Sequence, residues 1–230
     1  MLSRERMETV VELTRALIAQ SSESGQEDGA AGVLRRYMEG AGFTQVTADE
    51  YGNVLGCLRG GRPGKRVLLD GHIDTVPVGD RSAWSHDPFG GEIDGGRLYG
   101  RGASDMKAAV AAFTAAAGFF AADRGGDFPG EIWVAGVVQE ECFEGVAARA
   151  VSRTVRPDYV VIGEASQCDL KIGQRGRAEI VVETFGVPAH SANPDKGVNA
   201  VYAMGKVIEA LRRLPPPEQP VLGRGILELT

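Results

Sequence analysis

Met7, Val10, Val11, Leu13, Leu17 and Ile18 recur every three or four residues near the start of the chain, which predicts an amphipathic helix over about residues 4–20. A second helical stretch covers about residues 26–39 and is closed by Gly40 or Gly42. The period then changes. The segment "GNVLGCLRG" reads as a strand and "GGRPGK" as the turn that closes it. "RVLLDGHID" is a nearly continuous apolar run, as in a strand covered on both faces. Residues 79–104 are rich in Gly, Asp and Pro and predict a loop with a hairpin. A helix over 106–122 follows, then a buried strand "EIWVAGVVQ", a helix near 144–153 and the strand "DYVVIGEA".

Strands alternating with helices predict an α/β domain with a mostly parallel central sheet flanked by helices. The character of the chain changes near residue 171. "AEIVVETFG" alternates like a half-exposed strand, a loop "VPAHSANPDKG" leads to a helix over about 197–213, and "GILELT" predicts a further strand. The division expected is therefore a catalytic domain over 1–171 and the start of a smaller α/β lid domain over 172–230. A two-strand, one-helix piece buries little by itself, so the chain is expected to stop inside that second domain.

Composition narrows the function classes. A net charge of −6 with no long basic run argues against nucleic acid and against anionic membrane as partners. "AAVAAFTAAAGFFAA" is too short and too rich in alanine to span a bilayer. Glu5, Glu8 and Glu12 interrupt the N-terminal apolar residues, unlike the core of a signal peptide. Cys57, Cys142 and Cys168 are odd in number and far apart, so reduced, mostly buried thiols in a cytoplasmic protein are expected.

Candidate chemistry gathers at strand ends, where open α/β sheets bind their ligands. His72 and Asp74 follow "VLLDG", Asp105 sits in "GRGASDMK" before a helix, Glu140 and Glu141 follow "VAGVVQ", and Glu164 follows "YVVIG". Each cluster alone has an ordinary structural reading: a satisfied histidine, a solvated acidic pair, a helix cap. Together they amount to one imidazole and five carboxylates, which repel one another unless a divalent cation is bound. His72 and Asp74 share one side of an extended backbone, so Asp74 can accept a hydrogen bond from the imidazole and fix which nitrogen faces a metal. Mixed nitrogen and oxygen donors suit zinc, with cobalt or manganese as alternatives. No HExxH occurs, which sets aside a helical zinc-protease arrangement.

The segments "GHIDTVP", "GRGASDMK", "QEE", "GEAS" and "GVPAHSANPDKGVNA" occur in this order in the di-zinc exopeptidases and deacylases, the family of acetylornithine deacetylase, succinyl-diaminopimelate desuccinylase, aminoacylase and glutamate carboxypeptidase. The resemblance runs from about residue 8 to 230, and "WSHDPFGG", "VQEE" and "GQRGR" are most similar to its selenium-metabolism-linked hydrolase subgroup. It implies a zinc-exopeptidase-like fold and two divalent metals. His72 and Glu164 would bind one metal, Glu141 the other, and Asp105 would bridge them. Glu140 would be the general base and Asp74 would orient His72. The resemblance also implies a cis peptide after Asp105. His190 would be the lid histidine that reaches a partner's active site in a homodimer and polarises the scissile carbonyl, while His86 matches no role.

The implied activity is hydrolysis of the amide bond of an N-acyl amino acid or small peptide. Two other readings stay open: an N-carbamoyl amino acid amidohydrolase, and a non-catalytic dimeric homologue. The second gains weight because the family's further C-terminal histidine ligand has no counterpart in these 230 residues.

Overall fold

The computed structural model describes residues 3–230, in two compact units that divide between Gln167 and Cys168. The division falls slightly before the boundary expected at 171/172.

The first unit is built on a five-stranded sheet of β1 (Gln45–Ala48), β2 (Val54–Arg59), β3 (Arg62–His72), β6 (Pro129–Val137) and β7 (Tyr159–Ile162), in the order β1-β2-β6-β3-β7. A small hairpin pairs β4 (Glu92–Asp94) with β5 (Arg97–Tyr99). The sheet is mixed: β1–β2 and β2–β6 are antiparallel, whereas β6–β3 and β3–β7 are parallel. The three mutually parallel strands therefore end on the same edge, and that edge carries the candidate site. β3 begins at Arg62, inside the stretch expected to be a turn, with a register shift between Arg62 and Arg66 that absorbs the Pro-Gly pair. β1 was not expected from the pattern, since its four residues carry few apolar side chains.

Four helices flank the sheet. α1 (Arg4–Ile18) packs on α3 (Lys107–Asp123), α3 on β3 and β6, α2 (Asp28–Gly40) on β1 and β2, and α4 (Val146–Val155) on β6. Ser3 caps α1 by accepting the Arg6 N–H. The last turn of α1 is satisfied differently: the buried Lys107 ammonium donates to the Leu17 and Gln20 carbonyls at 3.0 and 2.8 Å. Burial lowers the Lys107 pKa to about 8, against a raising influence from Asp74. The alanine-rich α3 lies in the core, burying Val110, Ala111, Thr114, Ala115 and Ala117. No helix is long and apolar enough to cross a membrane among the described residues.

Two glycines let helices approach the sheet. Gly71 and Gly136 are ladder partners on β3 and β6. A Cβ at Gly71 would meet Met106 Cε at 2.6 Å and Val110 Cγ2 at 2.8 Å, and one at Gly136 would run into Leu34 Cδ2. Met106 directly follows Asp105, so this close packing fixes the start of α3 beneath the site. Of the cysteines, all free, Cys57 is buried but Cys142 and Cys168 are exposed, contrary to the expectation that most would be buried. Both exposed thiols lie in irregular segments just beyond the core strands, where no apolar layer covers them.

The second unit contains α5 (Ala200–Arg212), capped by Asn199, which accepts the Val201 N–H at 2.9 Å, and a short hairpin of β8 (Glu218–Gln219) with β9 (Gly223–Arg224). The strands expected over 178–186 and 225–230 are not in a ladder among the described residues. Alternation marks a face to be covered, but a strand also requires a hydrogen-bonded neighbour, and Ile180, Phe185 and Ile226 are exposed here.

The contact at Gly136 yields a test. Gly136→Ala should destabilise by about 1–3 kcal/mol through overpacking, and Leu34→Ala by about 2–5 kcal/mol through a cavity. Combined, the two should cost clearly less than their sum in urea unfolding, because the added methyl enters the space Leu34 vacates.

Candidate metal centre

β3 ends at His72, β6 two residues before Gln139, and β7 two residues before Glu164. Parallel pairing of these strands brings their carboxyl ends together. Asp105 enters from the turn preceding α3, and its peptide bond to Met106 is cis. Glu140 and Glu141 follow a backbone bend at Gln139, whose φ of 56° lies in the left-handed region. Such a conformation is uncommon for a residue with a Cβ. It solves the problem of adjacent glutamates, which on a regular strand would point to opposite faces.

His72 Nε2 is the centre of the cluster. It lies 3.0 Å from Asp105 Oδ1, 3.6 Å from Glu164 Oε1 and 4.0 Å from Glu140 Oε2. Two overlapping groups have ligand atoms within 4.8 Å of one another: His72 with Glu140 and Glu164, and His72 with Asp105 and Glu141. The imidazole is buried, whereas Asp105 and Glu164 are exposed and Glu140 and Glu141 are intermediate. The cluster is thus open to solvent on one side and anchored on the other.

Asp74 is fully buried and does more than was expected of it. The closer contact of His72 Nδ1 is with the Asp74 backbone carbonyl at 3.0 Å, and the carboxylate Oδ1 lies at 3.4 Å. The carboxylate instead receives the Glu140 N–H on Oδ1 and the Glu141 N–H on Oδ2, both at 3.1 Å, and the Ser24 hydroxyl on Oδ2 at 2.7 Å. Ser24 was missed by sequence reasoning. It belongs to "SSESG" after α1, which reads as a solvated turn. In the structure Ser22 donates to the Ile73 carbonyl at 2.7 Å and accepts the Thr75 N–H at 2.9 Å, so this segment runs alongside residues 73–75. Asp70 was also passed over. It stands two residues before His72 on the same strand, and the alternation of side chains places both on one side.

His190 belongs to the second unit and is in neither group. It is exposed, and its Nδ1 accepts the Ala192 N–H at 3.1 Å in a local turn. His86 pairs with Glu92 at 3.0 Å and stacks on Tyr99 in the β4–β5 hairpin, a structural role.

The electrostatics favour a cation. Burial raises the pKa values of Glu140, Glu141 and Glu164; neighbouring carboxylates add to this and His72 opposes it. Burial likewise pushes Asp70 up to about 6. For His72, burial acts downward, but the Asp74 carboxylate and carbonyl and the charge of Glu164 outweigh it and raise the ring to about 9. One nitrogen and several oxygen donors, mutually repelling and within a few ångströms, fit a divalent metal.

Comparison with known proteins gives the family. Residues 68–223 match the model of peptidase family M20/M25/M40. The chain belongs to that family. It is 36% identical over 214 residues to a succinyl-diaminopimelate desuccinylase from Dinoroseobacter shibae, covering 89% of this chain and 56% of that protein. It is 35% identical over 202 residues to the uncharacterised protein YgeY of Escherichia coli (strain K12), covering 87% of this chain and 49% of YgeY. The M20 chain thus spans about half the length of the curated relatives it matches. Among solved structures, the M20 metallo-carboxypeptidase Sso-CP2 of Sulfolobus solfataricus aligns with a TM-score of 0.63 at 21% identity, over 91% of this chain and 50% of Sso-CP2, a likeness of fold.

The raised pKa of His72 has a measurable sign. The fold holds the His72 proton more tightly than the unfolded chain, so in the metal-free protein this stabilisation is present below about pH 6.5 and is lost as pH rises through about 9. A metal takes the neutral ring, so zinc binding at pH 7 should release a proton and strengthen as pH rises toward 9. Calorimetry in buffers of different ionisation enthalpy should show a buffer-dependent heat; a heat independent of buffer would contradict the assignment of His72 as a ligand.

Proposed function

We propose that this chain forms the metal-binding part of a hydrolase that cleaves the amide bond of an N-acyl amino acid or small peptide. The observation that carries this reading is the convergence of His72, Asp105, Glu140, Glu141 and Glu164 at the carboxyl ends of three parallel strands. Family membership and the relatives named succinyl-diaminopimelate desuccinylase support it.

In this reading His72 and Glu164 would hold one divalent metal, Glu141 would hold a second, and Asp105 would serve both. The donors suit zinc, and cobalt or manganese would also fit. Metal bound there supplies the Lewis acidity that makes a water nucleophilic near neutral pH and offsets charge on the carbonyl oxygen. The residues do the rest. Glu140 stands half-buried, 4.0 Å from His72 Nε2, where its carboxylate can take a proton from the attacking water. Its burial-raised pKa suits it to hold that proton and pass it to the leaving amine. Asp74 keeps His72 in place through its carbonyl and keeps Glu140 and Glu141 in place through its carboxylate. His190, supplied by the second unit of another copy in a homodimer, would polarise the scissile carbonyl.

The test is metal content and turnover together. The unaltered protein should carry up to two divalent ions per chain and hydrolyse one or more of a panel of N-succinyl, N-acetyl and N-carbamoyl amino acids and dipeptides, assayed with zinc, cobalt and manganese. Ammonia released from N-carbamoyl substrates would redirect the reading to an amidohydrolase of that kind, and an absence of bound metal would sink it. Glu140→Ala should lower kcat by about 100- to 10,000-fold with metal content nearly intact, whereas Asp105→Ala should lose metal and activity together. Wild-type rates in Glu140→Ala would remove Glu140 from the role of base.

A further inference from the structure

The bend that aims Glu140 and Glu141 leaves four successive backbone N–H groups, of residues 138 to 141, without ladder partners. Each is received by a side-chain oxygen. Asn53 Oδ1 takes the Val138 N–H at 2.9 Å, Glu27 Oε1 takes the Gln139 N–H at 3.0 Å, and the two oxygens of Asp74 take those of Glu140 and Glu141. Asn53, Glu27 and Asp74 are all buried and come from three distant parts of the chain.

Glu27 is the member of this set without another explanation. It occupies the N-cap position of α2, yet its side chain makes no capping hydrogen bond there. Its carboxyl is turned the other way, and the oxygen that takes the Gln139 N–H also takes the Gly25 N–H at 2.8 Å. It therefore meets the bend at the one residue in the left-handed region, Gln139, immediately before the two glutamates. It also ties that bend to the segment from which Ser24 reaches Asp74. A polar residue so deeply buried is retained only if its oxygens are satisfied, and here the donors that satisfy it belong to the site's own support.

We propose that Glu27 is a positioning residue: its carboxyl oxygen clamps the Gln139 N–H and so holds Glu140 and Glu141 toward His72. The chemical purpose of the clamp rests on the hydrolase reading, whereas its geometry does not.

Residue-resolved amide exchange by NMR in the metal-free protein, zinc affinity, and kcat and KM on a turned-over substrate together test the clamp. Glu27→Met should lose exchange protection at residues 139–141 while β6 and α2 keep theirs. It should weaken metal binding about 10- to 100-fold and lower kcat with little change in KM. Glu27→Gln keeps a carbonyl acceptor and should restore all three. Should Glu27→Met not fold, Glu27→Asp, with its acceptor one methylene short, should show the same local loss. Wild-type protection and wild-type zinc affinity in the folded Met or Asp variant would overturn the proposal. So would a Gln variant as impaired as the Met variant. If the unaltered protein binds no zinc, the hydrolase reading fails alone; selective loss of protection in Glu27→Met would still support the clamp.

Discussion

A carboxylate shut away from water must have its oxygens matched by donors, and Asp74 meets that demand with two backbone N–H groups and a serine hydroxyl. Burial pushes its pKa up, but the His72 ring beside it together with these bonds outweighs burial and holds it below the ordinary carboxylate value. They also join three otherwise separate pieces of chain: the end of β3, the bend after β6 and the segment after α1. The positions of three of the five converging residues can be traced to that junction. His72 is fixed by the Asp74 carbonyl, and the two glutamates by its carboxylate.

The sheet supplies the other half of the arrangement. Only parallel neighbours end at the same edge, and β6, β3 and β7 are the parallel neighbours. Among the described residues the antiparallel side, β1 and β2, contributes no candidate ligand and serves as a wall over which α2 packs. Gly71 and Gly136 let the helices sit close beneath the edge, so that Met106 and Leu34 fill the space under the candidate ligands. Packing and chemistry meet there at single-residue distances.

Much of this was legible from residue order. Apolar runs located β3, β6 and β7, and polar residues directly after them are the ones that converge in the candidate site. The ligand candidates were readable because carboxylates and imidazoles stand out after an apolar run. What the pattern could not show were the supports. Ser24 and Glu27 lie in a polar stretch resembling an ordinary turn, and their importance comes from bonds to residues 50 and 112 positions away. The double duty of Asp74, carbonyl to the imidazole and carboxylate to the bend, depends on backbone direction rather than on side-chain alternation. In the second unit, alternation identified apolar faces over 178–186 but could not supply the neighbour that turns such a segment into a strand.

β7 has a ladder on one side only, and its four residues, Tyr159 to Ile162, are all exposed although all are apolar. Local stability tracks burial and pairing, so this strand is the part of the parallel sheet that opens most readily. Glu164 rides just past its end, whereas His72 ends β3, the middle strand of the parallel three, paired on both sides. An ion gripped by both would staple an exposed edge strand to its inner neighbour, so that ordering of the margin and occupancy of the centre become one equilibrium.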